Sequence, residues 1–353
     1  MKQLKIIYHK AQHISRLLTG FHLLEKAGEF QCTYCEDLAN QYALPQNEVV
    51  EVWLEGKHIA FDLGDRMSLH HAEGIEYLEK VDAYFARSYE QDFLNTIPEH
   101  LRKKVKPFGF DYYVTYPGNP ADRKPEGVKA QLMDVARRVS GYAKCMYVDA
   151  FEREPDYKDD GLKIIFMARL WDPAEINLHA PASEEIRQYR EYMVYERNKI
   201  NAERIEIIRK LRRTYGDAFT GGIQYSAFAE KMCPDILIPK NLTRKRTYLA
   251  AMQDADICIG SAGLHHSIGW KTGEYVAASR AIVAERFYYQ VPGNFREGVN
   301  YLPFDTVEQC LEAVEGLYNN PEAVYRMKQE NHLYYTNALR PEIQILNALK
   351  QCI

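Results

Sequence analysis

The sequence predicts an α/β protein built from two consecutive domains. Its 353 residues are enough for about two domains, each large enough to bury its own core. In both halves short β-branched runs alternate with helical patterns, which is typical of a parallel sheet covered by helices. From Pro117 to Gly161 turn-forming and polar residues interrupt this alternation, so we expect the boundary between the domains to lie there.

The first half begins with a strand followed by a helix. Lys5–Tyr8 (KIIY) combines β-branched and aromatic residues, as strands do. From Ile14 to Gly28 apolar residues recur at three- and four-residue spacing, which predicts an amphipathic helix. A second helix is predicted from Gly74. The remaining strands predicted in this half, which we expect to lie parallel, are Val49–Leu54, His58–Leu63, Ala83–Ala86 and Val105–Phe110.

The second half restarts the same alternation. Helices are predicted over Ser183–Tyr215, over Trp270–Ala278 and from Thr306 onward, and the last stretch is amphipathic. The strands predicted between them are Leu162–Ala168, Ala218–Gln224, Asp235–Ile238, Ala255–Gly260 and Ala281–Glu285. We therefore expect domains over residues 1–150 and 151–330, followed by a terminal helix over 331–353.

Composition excludes several classes of protein. The chain has 45 Lys and Arg against 49 Asp and Glu, a net charge of -4, so charge gives no reason to expect nucleic-acid binding. No apolar stretch approaches the ~20 residues that span a bilayer, and the first ten residues are too polar for a signal peptide. The seven cysteines are odd in number and widely spaced, which favours a reducing, cytoplasmic location. The basic cluster Thr243–Arg246 has three possible interpretations. It is a solvated surface, it contacts phosphate, or it makes peripheral contact with the inner face of a membrane.

Polar residues follow two predicted strands of the second domain. In open parallel sheets ligands bind beyond the carboxyl ends of the strands. Arg169 follows the strand that ends at Ala168, and its guanidinium can chelate phosphate oxygens, although an interdomain salt bridge explains it equally well. After the strand that ends at Gly260, small residues lead to a helix starting near Gly269, whose positive end would face a phosphate.

The loop and helix after Gly260 carry several candidate ligand-binding side chains. His265, His266 and Lys271 can donate hydrogen bonds to a diphosphate, with Thr272 beside them. Glu274, about one turn into the helix, can accept hydrogen bonds from the paired hydroxyls of a ribose. A loop and helix with incidental polar residues is the alternative.

The first domain offers candidates for a general base. Asp62 and Asp65 directly follow the strand His58–Leu63, and His9 and His13 follow the first strand. A carboxylate or histidine in a cleft can take a proton from an attacking hydroxyl. Taken alone, the two aspartates are better explained by a turn that caps a short helix.

In their order and spacing these motifs resemble the nucleotide-sugar domain of the GT-B glycosyltransferases. The nearest resemblance is to the "glycosyl transferases group 1" family, including its CgeB-like branch. The segments that carry it are Ala168–Leu170 (ARL), Ala255–Gly263 (ADICIGSAG), His266–Glu285 (HSIGWKTGEYVAASRAIVAE), Val105–Asp111 (VKPFGFD) and the final helices after Phe304.

The resemblance implies two Rossmann-like domains facing each other across a cleft, with the C-terminal helix crossing back to the N-terminal domain. It implies an acceptor-binding domain over 1–150, a donor-binding domain over 151–330 and a crossing helix in 331–353. The implied reaction moves a sugar from a nucleotide-sugar to a hydroxyl of a glycan, a lipid-linked molecule or another acceptor, in polysaccharide or glycoconjugate synthesis. No metal or other cofactor and no nucleic-acid partner is expected.

The resemblance also assigns residues, with two departures. Arg169 matches the arginine that contacts the donor pyrophosphate, and Gly269 and Glu274 match the family's glycine and second glutamate. His266 stands where the family has its first glutamate, near the donor sugar, and we include it among the candidate catalytic residues. The family's usual lysine is replaced by Ala174, with Lys271 as the candidate substitute.

The histidine in place of the first glutamate leaves two alternatives open. One is a nucleotide-sugar epimerase or hydrolase of the same fold, in which His265 and His266 would act on the donor sugar. The other is a catalytically inactive subunit that binds a nucleotide-sugar and supports a partner transferase.

Overall fold

The computed structural model describes residues 2–38, 44–70, 73–122, 127–139 and 145–352. The strands are β1 (Lys2–Tyr8), β2 (Phe30–Glu36), β3 (Val49–Leu54), β4 (Lys57–Asp62), β5 (Ala83–Ala86), β6 (Val105–Pro107), β7 (Val114–Thr115), β8 (Met146–Tyr147), β9 (Ile164–Ala168), β10 (Phe219–Ile223), β11 (Ile257–Gly260), β12 (Ala281–Glu285) and β13 (Leu302–Phe304). The helices are α1 (Ser15–Lys26), α2 (Gly74–Lys80), α3 (Gln91–Leu94), α4 (Glu99–Arg102), α5 (Val128–Val139), α6 (Glu184–Tyr215), α7 (Ala227–Met232), α8 (Lys245–Asp254), α9 (Trp270–Ala277), α10 (Val307–Tyr318), α11 (Pro321–Tyr334) and α12 (Pro341–Leu349).

The first domain is built on a six-stranded sheet in the order β2-β1-β3-β4-β5-β6. The expectation that all its strands lie parallel is wrong for β3, which runs antiparallel to both β1 and β4. Only Glu55 and Gly56 separate β3 from β4, and both have positive φ angles, of 50° and 80°. Two residues in that conformation close a hairpin, whereas a parallel connection needs a crossover of about a dozen residues or more.

The second domain is built on a five-stranded, fully parallel sheet in the order β10-β9-β11-β12-β13. Four of its five strands were predicted. The strand predicted over Asp235–Ile238 is wrong, because Pro234–Ile236 forms a 3-10 turn and only Leu237 bridges to Ile223. Proline has no N–H to donate to a ladder, which favours a turn at this point.

The longest helix, α6, has 32 residues and follows the predicted helix Ser183–Tyr215 closely. The Ser183 hydroxyl caps its N-terminus by accepting a hydrogen bond from the Ile186 N–H, and Gly216, with a φ of 50°, ends it. Its second half packs on the sheet and buries Ile207 and Leu211. Within the described residues, we find no helix that combines the length and apolarity needed to cross a membrane.

The C-terminal helix α12 crosses back and packs against α1 of the first domain. Gly20 permits the close approach, since a Cβ there would collide with the Pro341 carbonyl. Gln344 of α12 donates a hydrogen bond of 2.6 Å to the Phe108 carbonyl, and Arg16 of α1 pairs with buried Asp111 at 3.0 Å. Two Rossmann-like domains with a terminal helix crossing back form the GT-B arrangement that the resemblance implied.

Candidate functional site

A cavity of about 890 Å³ lies between the two domains, at the carboxyl ends of the second sheet's central strands. The first domain contributes Gln12, His13, Asp65 and Arg87 to its wall. The second domain contributes the residues that follow β9 and β11 and the first turns of α8 and α9. Because β9 and β11 are neighbours in the sheet, their C-terminal ends bring these distant segments together.

The structure brings most of the predicted site residues into this cavity. Six of the nine line it, namely Asp65, Arg169, Gly269, Lys271, Thr272 and Glu274. Asp62, His265 and His266 are not part of its wall. The lining therefore contains the loop and helix after β11 together with the arginine after β9.

Lys271 lies in the first turn of α9 and turns inward. Its ammonium group donates a hydrogen bond of 2.7 Å to the Met167 carbonyl at the end of β9. The pKa of Lys271 is lowered to about 8, and burial is the main cause. The nearby Glu274 carboxylate opposes this shift, and the positive charges of Lys245, Arg204 and Arg169 add to it. A dianionic ligand in the cavity would restore the charged form of this side chain.

Glu274 is almost completely buried, with 3% of its surface exposed, and pairs with the Lys245 ammonium. Its second carboxylate oxygen, Oε2, has no hydrogen-bond partner among the described residues. A buried carboxylate oxygen without a donor is costly, and a ligand hydroxyl would satisfy it. This oxygen is buried, and the Tyr248 hydroxyl, which also lacks a well-formed hydrogen bond, interacts with the Glu274 carboxylate, so a ligand hydroxyl would have to displace that interaction.

Arg204 of α6 is a cavity residue that the sequence interpretation missed. It is 6% exposed, and it donates to Ser261 Oγ at 2.9 Å, the Arg169 carbonyl at 2.6 Å and the Ala262 carbonyl at 2.8 Å. All three acceptors are neutral, and the negative charges that act on Arg204 are those of Glu285 and Glu203, neither of which lines the cavity. Burial lowers its pKa to about 10, which still keeps it charged at neutral pH.

On the first-domain side, Arg87 organises the wall of the cavity. Its guanidinium donates to Asp65 at 2.7 Å, approaches His13 Nδ1 at 3.3 Å, and crosses to the second domain to bind the Ile268 carbonyl at 2.8 Å. Burial favours the neutral form of Asp65, but Arg87 and His13 outweigh it and hold the pKa of this carboxyl below its usual value. Asp65 is therefore ionised at neutral pH and faces the cavity.

Asp62 lies behind the cavity wall, completely buried. It accepts hydrogen bonds from the Ser68 N–H at 2.6 Å, the Gly64 N–H at 3.1 Å and the Tyr84 hydroxyl at 2.6 Å. Burial raises the pKa of Asp62, and no surface of its carboxyl is directed toward the cleft. This placement fits the turn-capping alternative and does not support a catalytic role.

Neither histidine is part of the main cavity wall, but both lie beside it. His265 and His266 both have positive φ angles, of 59° and 56°. His265 Nε2 lies 3.2 Å from the Tyr189 hydroxyl, and His266 Nε2 lies 3.4 Å from the Tyr192 hydroxyl. His266 also lines a small adjoining pocket together with Gly269 and Thr272.

The basic cluster before α8 also belongs to the cavity wall. Seven cationic side chains line the cavity, namely Arg87, Arg169, Arg204, Lys240, Arg244, Lys245 and Lys271. Asp65 and Glu274 are the two carboxylates that the described residues contribute to it. An excess of positive charge in a cleft of a chain with net charge -4 indicates an anionic ligand.

In the described part of the chain, no group of three or more His, Cys, Asp and Glu residues is arranged as a metal site. The Asp-x-Asp run at Asp254 and Asp256 precedes β11, at the end of the strand away from the cavity. Its carboxylates pair with Lys163 at 2.6 Å and with Lys328 at 2.7 Å.

No family model and no curated protein sequence matches this chain. Among solved structures, it is similar to an S. aureus MnaA–UDP co-structure, with 13% identity over 99% of this chain and 96% of that chain and a TM-score of 0.42. It is also similar to the UDP-GlcNAc 2-epimerase from Neisseria meningitidis bound to UDP-GlcNAc, with 10% identity over 99% and 100% of the two chains and a TM-score of 0.40. It is similar as well to the C-terminal domain of a glycosyl transferase group 1 family protein from Francisella tularensis. The identity is 13% over 54% of this chain and 95% of that chain, with a TM-score of 0.36. Similarity this weak assigns no activity.

Proposed function

We propose that the chain is a glycosyltransferase that binds a nucleotide-sugar in the interdomain cavity and transfers the sugar to an acceptor hydroxyl. The observation that carries this proposal is the excess of seven cations over two carboxylates in the cavity wall. A nucleoside diphosphate supplies the negative charge that such a wall stabilises, and it is also the leaving group of the reaction.

Departure of the nucleoside diphosphate is the chemical step that the second domain would assist. Negative charge develops on the diphosphate as the bond to the sugar breaks, and fixed cations and amide dipoles stabilise it without reorganisation. Arg169 and Lys271 are the proposed phosphate ligands, together with the free N–H groups at the start of α9 after Gly269. The Glu274 carboxylate would accept a hydrogen bond from a ribose hydroxyl through its Oε2 atom.

Asp65 is the proposed general base toward the acceptor. Among the described residues it is the carboxylate that the first domain contributes to the cavity wall, and its lowered pKa keeps it ionised at neutral pH. His13 is less suited, because its Nδ1 already faces the Arg87 guanidinium at 3.3 Å. A hydroxyl of a glycan, a lipid-linked molecule or another acceptor would enter from this side.

The position of the histidines favours transfer over epimerisation. An epimerase or hydrolase of this fold would need acid and base groups that converge on the donor sugar, and His265 and His266 were the candidates. Their rings pack against Tyr189 and Tyr192 instead. We propose surface polysaccharide or glycoconjugate synthesis as the setting, by analogy with the resembling family alone.

The test is turnover of a nucleotide-sugar panel by the purified protein. UDP-, GDP-, ADP- and CMP-sugars are incubated with and without an acceptor extract, and released nucleotide and sugar identity are measured. Nucleotide release that requires acceptor is the expected result. Interconversion of the sugar would identify an epimerase, release without acceptor a hydrolase, and tight binding without turnover an inactive subunit. Absence of binding to every donor would refute the proposal as a whole.

The lowered pKa of Lys271 predicts a pH dependence of diphosphate binding. The ligand binds the protonated lysine. Affinity is therefore highest well below pH 8 and falls as the pH rises through the pKa of Lys271 in the free protein, about 8. Between pH 7 and pH 9 the Kd for the best nucleoside diphosphate should rise about tenfold. Calorimetry near pH 8 should also detect proton uptake.

Lys271→Arg is the matched control for this pH effect, because arginine stays charged throughout the range. In this variant the pH dependence should flatten while binding is retained. An unchanged slope in the variant would assign the titration to another group.

A further inference from the structure

The side chain of Arg169 rests on the aromatic ring of Trp171. The central carbon of the guanidinium, Cζ, lies 3.7 Å from the centroid of the ring. A cation over an aromatic face is attracted to it, and among the aromatic side chains tryptophan attracts it most strongly. Both residues line the cavity, where Trp171 is partly buried and Arg169 is exposed. The stack therefore forms part of the wall that a ligand would meet.

The stack occupies the face of the guanidinium and leaves its N–H groups without a partner. Among the described residues, the Arg169 side chain forms no hydrogen bond and no ion pair. The carboxylates of Asp65 and Glu175 are near enough for their charges to act on it, but neither of them binds it. A guanidinium stacks through its face and donates from its edge, so this edge remains available for two oxygens of a phosphate.

The backbone beneath the stack is held by α6 and not by the ring. Asn201 accepts a hydrogen bond of 2.9 Å from the Trp171 N–H and donates one of 2.7 Å to the Trp171 carbonyl. Arg204 donates to the Arg169 carbonyl at 2.6 Å. The ring makes no hydrogen bond of its own, because its buried Nε1 has no partner among the described residues, although a buried indole N–H usually has one. What the ring contributes is therefore its face, and the group on that face is Arg169.

We propose that Trp171 is a positioning residue that holds Arg169 in place for the diphosphate of the nucleotide-sugar. This role rests on the proposed function, because it takes Arg169 as a ligand of the phosphates. An unrestrained arginine side chain loses rotamer freedom when it binds a ligand, and here it would also be attracted to Asp65 and Glu175. The stack reduces both losses, because the guanidinium is already in place before the ligand arrives.

The experiment is calorimetric titration of the full chain with UDP, GDP and ADP and with the corresponding nucleosides. In Trp171→Leu the affinity for the best diphosphate should fall about tenfold, whereas nucleoside affinity should change less than about twofold. Trp171→Phe keeps an aromatic face, so its diphosphate affinity should stay within about threefold of the wild type. Trp53→Leu is the matched control and should bind as the wild type does. Trp53 also stacks on a neighbouring side chain, His58, with 4.1 Å between the ring centroids, but it does not line the cavity.

A double-mutant cycle with Arg169→Ala separates positioning from direct contact with the ligand. If Trp171 acts through Arg169, adding Trp171→Leu to Arg169→Ala should weaken diphosphate binding no further. Thermal unfolding of each variant verifies that the fold is retained.

Three results would overturn the role of Trp171 and leave the proposed function standing. The first is unchanged diphosphate affinity in Trp171→Leu. The second is an equal fall in nucleoside affinity, which would show that the ring contacts the base. The third is an undiminished loss when Trp171→Leu is added to Arg169→Ala. A wild-type protein that binds no diphosphate would instead refute the proposed function, and the role of Trp171 with it.

Discussion

Replacing Arg204 with methionine should weaken nucleoside diphosphate binding by about 100-fold or more. The change removes a buried charge beside the proposed phosphate ligands and leaves the Arg169 and Ala262 carbonyls without their donors. Hydrogen bonds made by a charged group contribute about 1.5–3 kcal/mol each, and about 2.7 kcal/mol corresponds to 100-fold in affinity. Arg204 therefore acts as a positioning residue that fixes the ends of β9 and β11.

The measurement is calorimetric titration with UDP, GDP and ADP, compared with the corresponding nucleosides. If Arg204 acts through the phosphates, diphosphate affinity should fall far more than nucleoside affinity. Arg204→Lys should be intermediate, because one ammonium retains the charge but does not span three acceptors as a guanidinium does.

Arg212→Met is the matched control for Arg204→Met. Arg212 lies on the same helix and also donates to backbone carbonyls, those of Gly221 at 2.7 Å and Asp235 at 3.0 Å, but it does not line the cavity. Its loss should leave diphosphate affinity unchanged. If the two substitutions weaken diphosphate binding equally, Arg204 has only a structural role.

Arg204 also shows why part of the site could not be predicted from the sequence. In sequence it lies within a long charged helix, 35 residues from Arg169, where an arginine is most often solvated. Its only local signal is its position on the buried side of α6, four residues after Ile200 and three before Ile207. A buried arginine at an apolar position needs acceptors, but the sequence does not say which strand ends supply them.

The predicted residues that line the cavity are brought together for a simple physical reason. Parallel strands place their carboxyl ends at one edge of the sheet, so any polar residue after β9 or β11 is directed to the same crevice. Arg169 and Lys271 meet there for that reason. The pairing of Lys245 with Glu274 depends instead on how α8 packs beside α9, a tertiary contact without a sequence pattern.

The two histidines outside the cavity wall show a different limit. Two successive non-glycine residues with positive φ are uncommon, and no sequence pattern indicates this conformation at His265 and His266. Strand β3 shows the same limit, since the turn at Glu55 and Gly56 makes it antiparallel to β4, whereas we expected the two strands to be parallel.

The substitution Asp65→Asn should lower the rate of sugar transfer by about 100-fold or more while leaving donor affinity within about threefold. Loss of a general base costs about 10²–10⁴ in rate, and the amide keeps the shape of the side chain but does not accept the acceptor's proton. The Arg87 guanidinium retains its bond to the Ile268 carbonyl, so the contact between the domains persists. Transfer is measured at saturating donor and acceptor, and donor affinity by calorimetry.

Glu99→Gln, an exposed carboxylate of the same domain on α4, is the control and should transfer at the wild-type rate. A parallel fall in donor affinity and rate in Asp65→Asn would instead indicate that the cavity wall itself had been disturbed.

The pH profile of the wild type separates Asp65 from a histidine base. Because Arg87 and His13 hold the pKa of Asp65 below its usual value, the carboxylate stays ionised as the pH falls from 7.5 through 5.5, and the rate should stay level across this window. A histidine base would be protonated through its ordinary range near pH ~6.5, and the rate would fall about tenfold for each unit below it. If the rate stays level at acid pH and the Asp65→Asn variant is slow, the acceptor's proton goes to this carboxylate. If the rate falls at acid pH in both proteins, another group is the base.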